Sequence, residues 1–259
     1  MLRFRIVHTC GALALALALG CASSQGPEQL EQVERQARAK YNMGIDHLQN
    51  GRNAAALGEL LGALELNPSD PWIHFGLAEA YRRQGRTQDA VRHLEQTMKL
   101  KPDFQSARLN LSGVYIQMGE YEKAARHAQV LVEDPTFPTP WRALTNLGWA
   151  QYRMGLRDQA RRNLELSIQY NDRHWPAHLN LGILESAEGR RLEAVSLFQR
   201  ALDLEPGPLA EAEAHYRIAE VLIALGQQEK AVHHLVAAVE SKPNGQWGAK
   251  SEEYLKLLR

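Results

Sequence analysis

Residues 71–104 read PWIHFGLAEAYRRQGRTQDAVRHLEQTMKLKPDF, and almost every mark in that stretch returns elsewhere in the chain. Gly85 ends a first helix at a position that favours positive φ, which a residue without a side chain adopts at no steric cost. Ala78, seven residues before it, and Ala90, five after it, let that helix and a second, antiparallel one approach closely. Leu94 fills the space left between them, and Pro102 stops the second helix because it cannot continue the hydrogen-bond ladder.

The glycine and alanine recur as Gly51/Ala56, Gly119/Ala124, Gly155/Ala160, Gly189/Ala194 and Gly226/Ala231, with glycines 34, 34, 36, 34 and 37 residues apart. Gly44, Ser112, Gly148, Gly182 and Ala219 stand where Ala78 does. Leu60, Leu164, Phe198 and Leu235 stand where Leu94 does, with Ala128 a thin spot in the third repeat. Pro68, Pro206 and Pro243 repeat the stop, and Asp172 takes its place in the fourth repeat as a turn former. This six-fold pattern resembles the tetratricopeptide repeat (TPR). It implies an all-α, right-handed superhelical solenoid of six TPR helix pairs at about 37–70, 71–104, 105–138, 141–174, 175–208 and 212–245, in which each repeat buries its face on its neighbours. A C-terminal capping helix within 246–259, with Tyr254, Leu255 and Leu258 at helical spacing, closes the stack; Glu28–Lys40 runs straight into the first helix, and no strand is expected.

Composition narrows the function. The 259 residues are 44% hydrophobic, 7% aromatic and 23% charged, which excludes collagen-like, disulfide-scaffold and strongly disordered classes. With 30 Lys+Arg against 30 Asp+Glu the chain lacks the positive field of a nucleic-acid binder. Phosphate loops, His-Glu-x-x-His, Gly-x-Ser-x-Gly and Cys-x-x-Cys are absent from the sequence, so the expectation is a binding module and not an enzyme, with no cofactor, no metal and no small-molecule substrate. His174 and His178, the one i,i+4 histidine pair, read as surface packing because a tetrahedral metal site needs three or four converging ligands. His93, His127 and His234 share a partly exposed packing position on second helices. Arg82-Arg83, Arg161-Arg162 and Arg190-Arg191 sit among acids and read as solvated faces.

The start of the chain has a character of its own. Arg3 and Arg5 precede an apolar run, Gly11–Leu19, too short for a bilayer, and Leu17-Ala-Leu-Gly-Cys21 follows. This resembles a bacterial lipoprotein signal, residues 1–20. The resemblance implies covalent acyl chains, palmitate among them, on Cys21, which becomes the mature N-terminus. Ala22-Ser23, with no Asp after the cysteine, implies the periplasmic face of the outer membrane of a Gram-negative bacterium. Residues 21–29, small and polar with Gly26-Pro27, read as a flexible lipidated tether, followed by a folded body over 30–259. Cys10 is removed with the signal, so no disulfide is expected.

First helices line the concave wall of such solenoids. The repeat register places Tyr41, Ile45, Leu48, Trp72, Phe75, Leu109, Ile116, Trp149 and Tyr152 there as a partner-binding groove, with Glu79 and Gly113 also inward, continued by Leu179, Ile183, Tyr216, Glu220 and Ile223. Chaperone-binding relatives hold a terminal carboxylate with Lys and Asn at positions that are here Ile45, Glu79, Gly113 and Trp149, so that mode is not expected. An apolar, aromatic-rich wall suits an amphipathic helix or an extended apolar segment.

The stretch between repeats three and four, Asp134-Pro-Thr-Phe137-Pro138 followed by Asn146-Leu147-Gly148, resembles the matching segment of the type IV pilus biogenesis lipoproteins, the PilF/PilW/Tgl-like secretin pilotins. The likeness extends to signal, tether, six repeats and size. It implies an outer-membrane assembly factor whose groove binds the secretin, promotes its localisation and multimerisation, and so supports pilus biogenesis and twitching or gliding motility. The alternative is a TPR lipoprotein scaffold for other envelope machinery, either peptidoglycan hydrolases or the outer-membrane protein assembly machine.

Overall fold

A computed structural model of the protein describes residues 26–258. The signal segment and Cys21, with the lipid attachment expected there, lie outside the described residues. Thirteen helices and no strand make up the described chain. They are α1 Pro27–Gln49, α2 Asn53–Leu66, α3 Pro71–Arg83, α4 Thr87–Leu100, α5 Gln105–Gln117, α6 Tyr121–Val132, α7 Pro140–Arg153, α8 Arg157–Tyr170, α9 Trp175–Ala187, α10 Arg191–Asp203, α11 Pro208–Ala224, α12 Gln228–Ser241 and α13 Gln246–Leu257. Helix α1 begins at Pro27, so the last three residues of the expected tether, 27–29, are helical: proline is pre-organised for the first helical position, and Gln29 reaches back to the Gly26 amide at 3.3 Å.

One turn, used six times, reverses the chain inside each pair. The amides of Arg52, Arg86, Glu120, Leu156, Arg190 and Gln227 each donate to the carbonyl five residues earlier, at 2.8–2.9 Å. That is the Schellman closure, which needs a left-handed residue just before the donor. The six repeat glycines occupy that place with φ between +71° and +81°.

Close approach follows from the small residues. A Cβ on Gly44 would lie 2.6 Å from Leu60 Cγ, one on Gly148 2.8 Å from Leu164 Cγ, and one on Gly182 2.6 Å from the Phe198 ring. The large residue of the second helix thus occupies the volume that the first helix vacates, and Leu60, Leu94, Leu164, Phe198 and Leu235 are all buried. In the third repeat, where that residue is Ala128, Phe137 of the α6–α7 connection enters a cluster with Leu109, Leu131 and Ala143. Asp134 shapes the connection: its carboxylate accepts from the Thr136 amide (2.9 Å), the Thr136 hydroxyl (2.7 Å) and Gln105 Nε2 (2.7 Å). These bonds, led by Thr136 and Gln105, hold it below the ordinary carboxylate range.

Consecutive helices pack throughout, giving an all-α solenoid whose core is spread over successive pairs. One arginine from each of two pairs, Arg161 and Arg190, does not behave as part of a solvated face, while Arg162 and Arg191 are exposed. Arg161 of α8 and Arg190 before α10 converge on Glu185 of α9, which is 1% exposed, and both also bond Glu188. The fourth and fifth repeats are therefore tied by a buried carboxylate held by guanidinium groups from two sides. At the C-terminal end α13 lies on α11 as a further first helix would, with Trp247 5.1 Å from Tyr216, centroid to centroid.

Candidate interaction groove

First helices touch not only their own partners but one another: α1 meets α3, α5 meets α7, α7 meets α9, α9 meets α11 and α11 meets α13, whereas second helices make no comparable contacts among themselves. The row of first helices is therefore the inner wall. The expected groove residues fall on that row but separate into two groups.

Leu48 (4% exposed) and Leu109 (5%) are core side chains, the first against the α2–α3 cluster and the second against Phe137. For Leu48 this corrects its reading as open lining, whereas Leu109 keeps an edge on the groove: the register gives the face of a helix but not how deeply the next repeat covers it. Tyr41 and Ile45 are half-buried beside the bare backbone of Gly76, where a Cβ would come within 3.4 Å of each. Trp72, 46% exposed, and Phe75 both lean on Phe104 of the α4–α5 connection, with centroids 4.4 and 5.0 Å away; Lys101 Nζ lies 5.7 Å from the Trp72 ring. Ile116 packs against the same cluster. Trp149 and Tyr152 pair at 5.3 Å, and the Arg153 guanidinium sits 4.7 Å from Tyr121 and 5.8 Å from Trp149. Further along, Leu179, Ile183, Tyr216 and Ile223 belong to the last core cluster. Burial and the neighbouring Glu220 push the Tyr216 hydroxyl up to about 12.

Between the two aromatic groups the wall is polar. A cavity of about 490 Å³ opens there, lined by Glu79 and Arg82 of α3, Asn110, Gly113 and Gln117 of α5, Arg142 and Asn146 of α7, and His174 and Pro176 where α9 begins. Glu79, Leu109 and Gly113 are the expected inward residues on its lining. Glu79 is gripped by Arg82 through two 2.8 Å bonds and by Arg83 at 2.7 Å. Its own burial resists ionisation, yet those arginines keep its carboxyl below the ordinary value. His174 is held down to about 4 by burial and then by Arg142, so at neutral pH it carries no charge. Sequence reasoning missed Asn110 and took Asn146 only as part of a family likeness, although a signal was present: each stands two residues before the small residue of its first helix, as does Asn180.

The histidines occupy places of two kinds. His74 and His93 face each other inside the second helix pair with their Nδ1 atoms 2.9 Å apart, and His215 and His234 repeat this in the sixth at 3.0 Å. His178 is buried, which corrects its reading as surface packing, and bonds the Asp172 carbonyl at 2.9 Å, as His74 bonds that of Pro68 at 3.1 Å. Among the described residues no three His, Cys, Asp or Glu side chains converge as metal ligands, and no helix is long and apolar enough to cross a membrane.

Known proteins place the fold. One family model described as tetratricopeptide repeat matches residues 81–145 and 185–252, and a second of the same description matches 41–91 and 145–207. Among curated proteins, none matches the sequence. The crystal structure of PilW, a widely conserved type IV pilus biogenesis factor, is similar with a TM-score of 0.71 at 18% identity, over 82% of this chain and 96% of that one. PilF of Pseudomonas aeruginosa is similar with a TM-score of 0.68 at 18% identity, over 87% and 99%. A tetratricopeptide repeat protein from Parabacteroides merdae gives 0.69 at 20% identity, over 89% and 90%. At such identities the likeness is one of fold.

Proposed function

The chain belongs to the tetratricopeptide repeat family, and from that premise we propose that it is a lipid-anchored assembly factor of the type IV pilus, acting on the secretin through the inner wall of the solenoid. The observation that carries this reading is the extent of the fold likeness to PilW and PilF, which takes in 82% and 87% of this chain and 96% and 99% of theirs. The Asp134–Gly148 segment adds to it. In this chain that segment is architectural, with Asp134 building the turn and Phe137 entering the core. The acyl chains on Cys21 supply location at the outer membrane, and the stacked first helices supply the grip. The aromatic groups at Trp72/Phe75 and Trp149/Tyr152 are the surfaces on which apolar side chains of the secretin monomer settle before neighbouring subunits cover them.

Deleting the gene tests the role directly: heat-resistant secretin multimers on denaturing gels fall sharply and twitching is lost. Unchanged multimer levels overturn it. A Trp72→Glu/Phe75→Glu double variant that stays folded loses secretin capture, whereas Cys21→Ser loses palmitate label and outer-membrane location while its solenoid still captures secretin in detergent.

A further inference from the structure

The facing histidines occupy one place in the repeat. His74 and His215 stand eleven residues before their repeat glycines, and His93 and His234 eight after theirs. The first repeat fills the same two places with Lys40 and Glu59, which form an ion pair at 3.2 Å, so this register brings two polar side chains together across a helix pair. In both histidine pairs the ring centroids are 5.2 Å apart and the Nδ1 atoms only 2.9 and 3.0 Å. The nitrogens therefore lie close to the line joining the two rings and face each other along it. We propose that each pair is a two-coordinate site for a closed-shell monovalent metal ion, copper(I), held in a line between the two Nδ1 atoms. A tetrahedral ion needs three or four converging ligands, which is why the sequence alone suggests no metal. A linear ion needs two, and imidazole suits copper.

His74 is already set as a ligand. Its Nε2 donates to the Pro68 carbonyl at 3.1 Å, which leaves the lone pair on Nδ1, and metal-binding imidazoles are commonly oriented by such a bond. His93 then carries its proton on Nδ1; as the ion enters, that proton moves to Nε2, so none is released and both rings stay neutral. Burial, then His74 and Arg92, hold His93 down to about 4, and burial lowers His215 and His234 in the same way, which keeps these rings available at neutral pH. Metal–nitrogen bonds of ~2 Å in a line place the nitrogens ~4 Å apart, so the half-buried His93 swings out by ~1 Å while the buried His74 stays. The fifth repeat holds half of such a site. His178 keeps the carbonyl bond, to Asp172 at 2.9 Å, but Leu197 stands where His93 does, and the buried His178 Nδ1 has no partner among the described residues.

The test uses the full chain in detergent and silver(I) nitrate, a redox-inert ion of the same kind, in chloride-free buffer, read by native mass spectrometry and nitrogen NMR of the imidazoles. Wild type binds two silver ions more than the His93→Gln/His234→Gln double variant, a difference that removes any silver held by methionine or cysteine sulfur. Each single variant loses one ion, and the Nδ1 resonances of His74, His93, His215 and His234 move in wild type. Silver raises the melting temperature of wild type by several degrees and leaves that of the double variant unchanged. Leu197→His completes the fifth-repeat pair and gains an ion, a result that unfolding cannot imitate. Unmoved Nδ1 resonances, or a double variant that binds as many ions as wild type, overturn the proposal.

Discussion

At Gly182 the backbone of α9 comes so close to α10 that a Cβ would stand 2.6 Å from the Phe198 ring. Gly182→Ala therefore destabilises by about 1–3 kcal/mol through overpacking, despite the alanine's better helix propensity. Phe198→Leu in the same chain recovers part of the loss, and the two changes are non-additive in a double-mutant cycle followed by denaturant unfolding. Pairs of this kind were legible in the sequence because sterics imposes them at every repeat, and periodicity exposes what sterics imposes. The Arg161–Glu185–Arg190 tie was not. Glu188 and Glu193 lie beside Arg190 in the chain, so the arginines looked solvated, and only the stacking of one repeat on the next buries Glu185.

At the scale of the helix pair, the facing histidines make stability depend on pH. Burial, then His74 and Arg92, lower His93 to about 4, while Asp89 opposes them; His174 falls to about 4 by burial and Arg142. Both imidazoles are neutral in the folded chain and have an ordinary pKa near 6.5, so between pH 6.5 and 4 the unfolded chain binds more protons. Stability is thus level above pH 7 and declines as the pH falls through that window. The melting temperature drops by on the order of 5 °C from pH 7 to pH 4.5 at constant ionic strength. His93→Gln flattens that slope, and an unchanged slope rules out the His74–His93 pair as its source. The helices themselves were readable from glycine, proline and small-residue spacing, whereas the pairing of His74 with His93 depends on the two helices being in register across the turn.

Across the whole molecule each pair rests on its neighbours, so cohesion is local and the ends are the weakest places. Amide exchange begins in residues 27–36, exposed but for the half-buried Val33, and is slowest in α7–α10, where the Glu185 tie adds to the apolar packing; fastest exchange in α8 would contradict this. The aromatic flanks of the inner wall could be placed from the repeat register alone. Of its polar middle the register places Glu79 and Gly113 but not Asn110, Arg142 or His174, because which inward residues stay open depends on how adjacent first helices spread apart. The same helix α1 that begins the stack is 23 residues long, against 13 for α3, and nine of its first ten residues are exposed. A helix transmits rotation as well as distance: each residue adds ~1.5 Å and turns the next through ~100°. Inserting or deleting one residue within 27–36 therefore resets an azimuth by ~100°, so that the length of this first stretch decides, like the hand of a clock, which way the groove looks from the start of the helix.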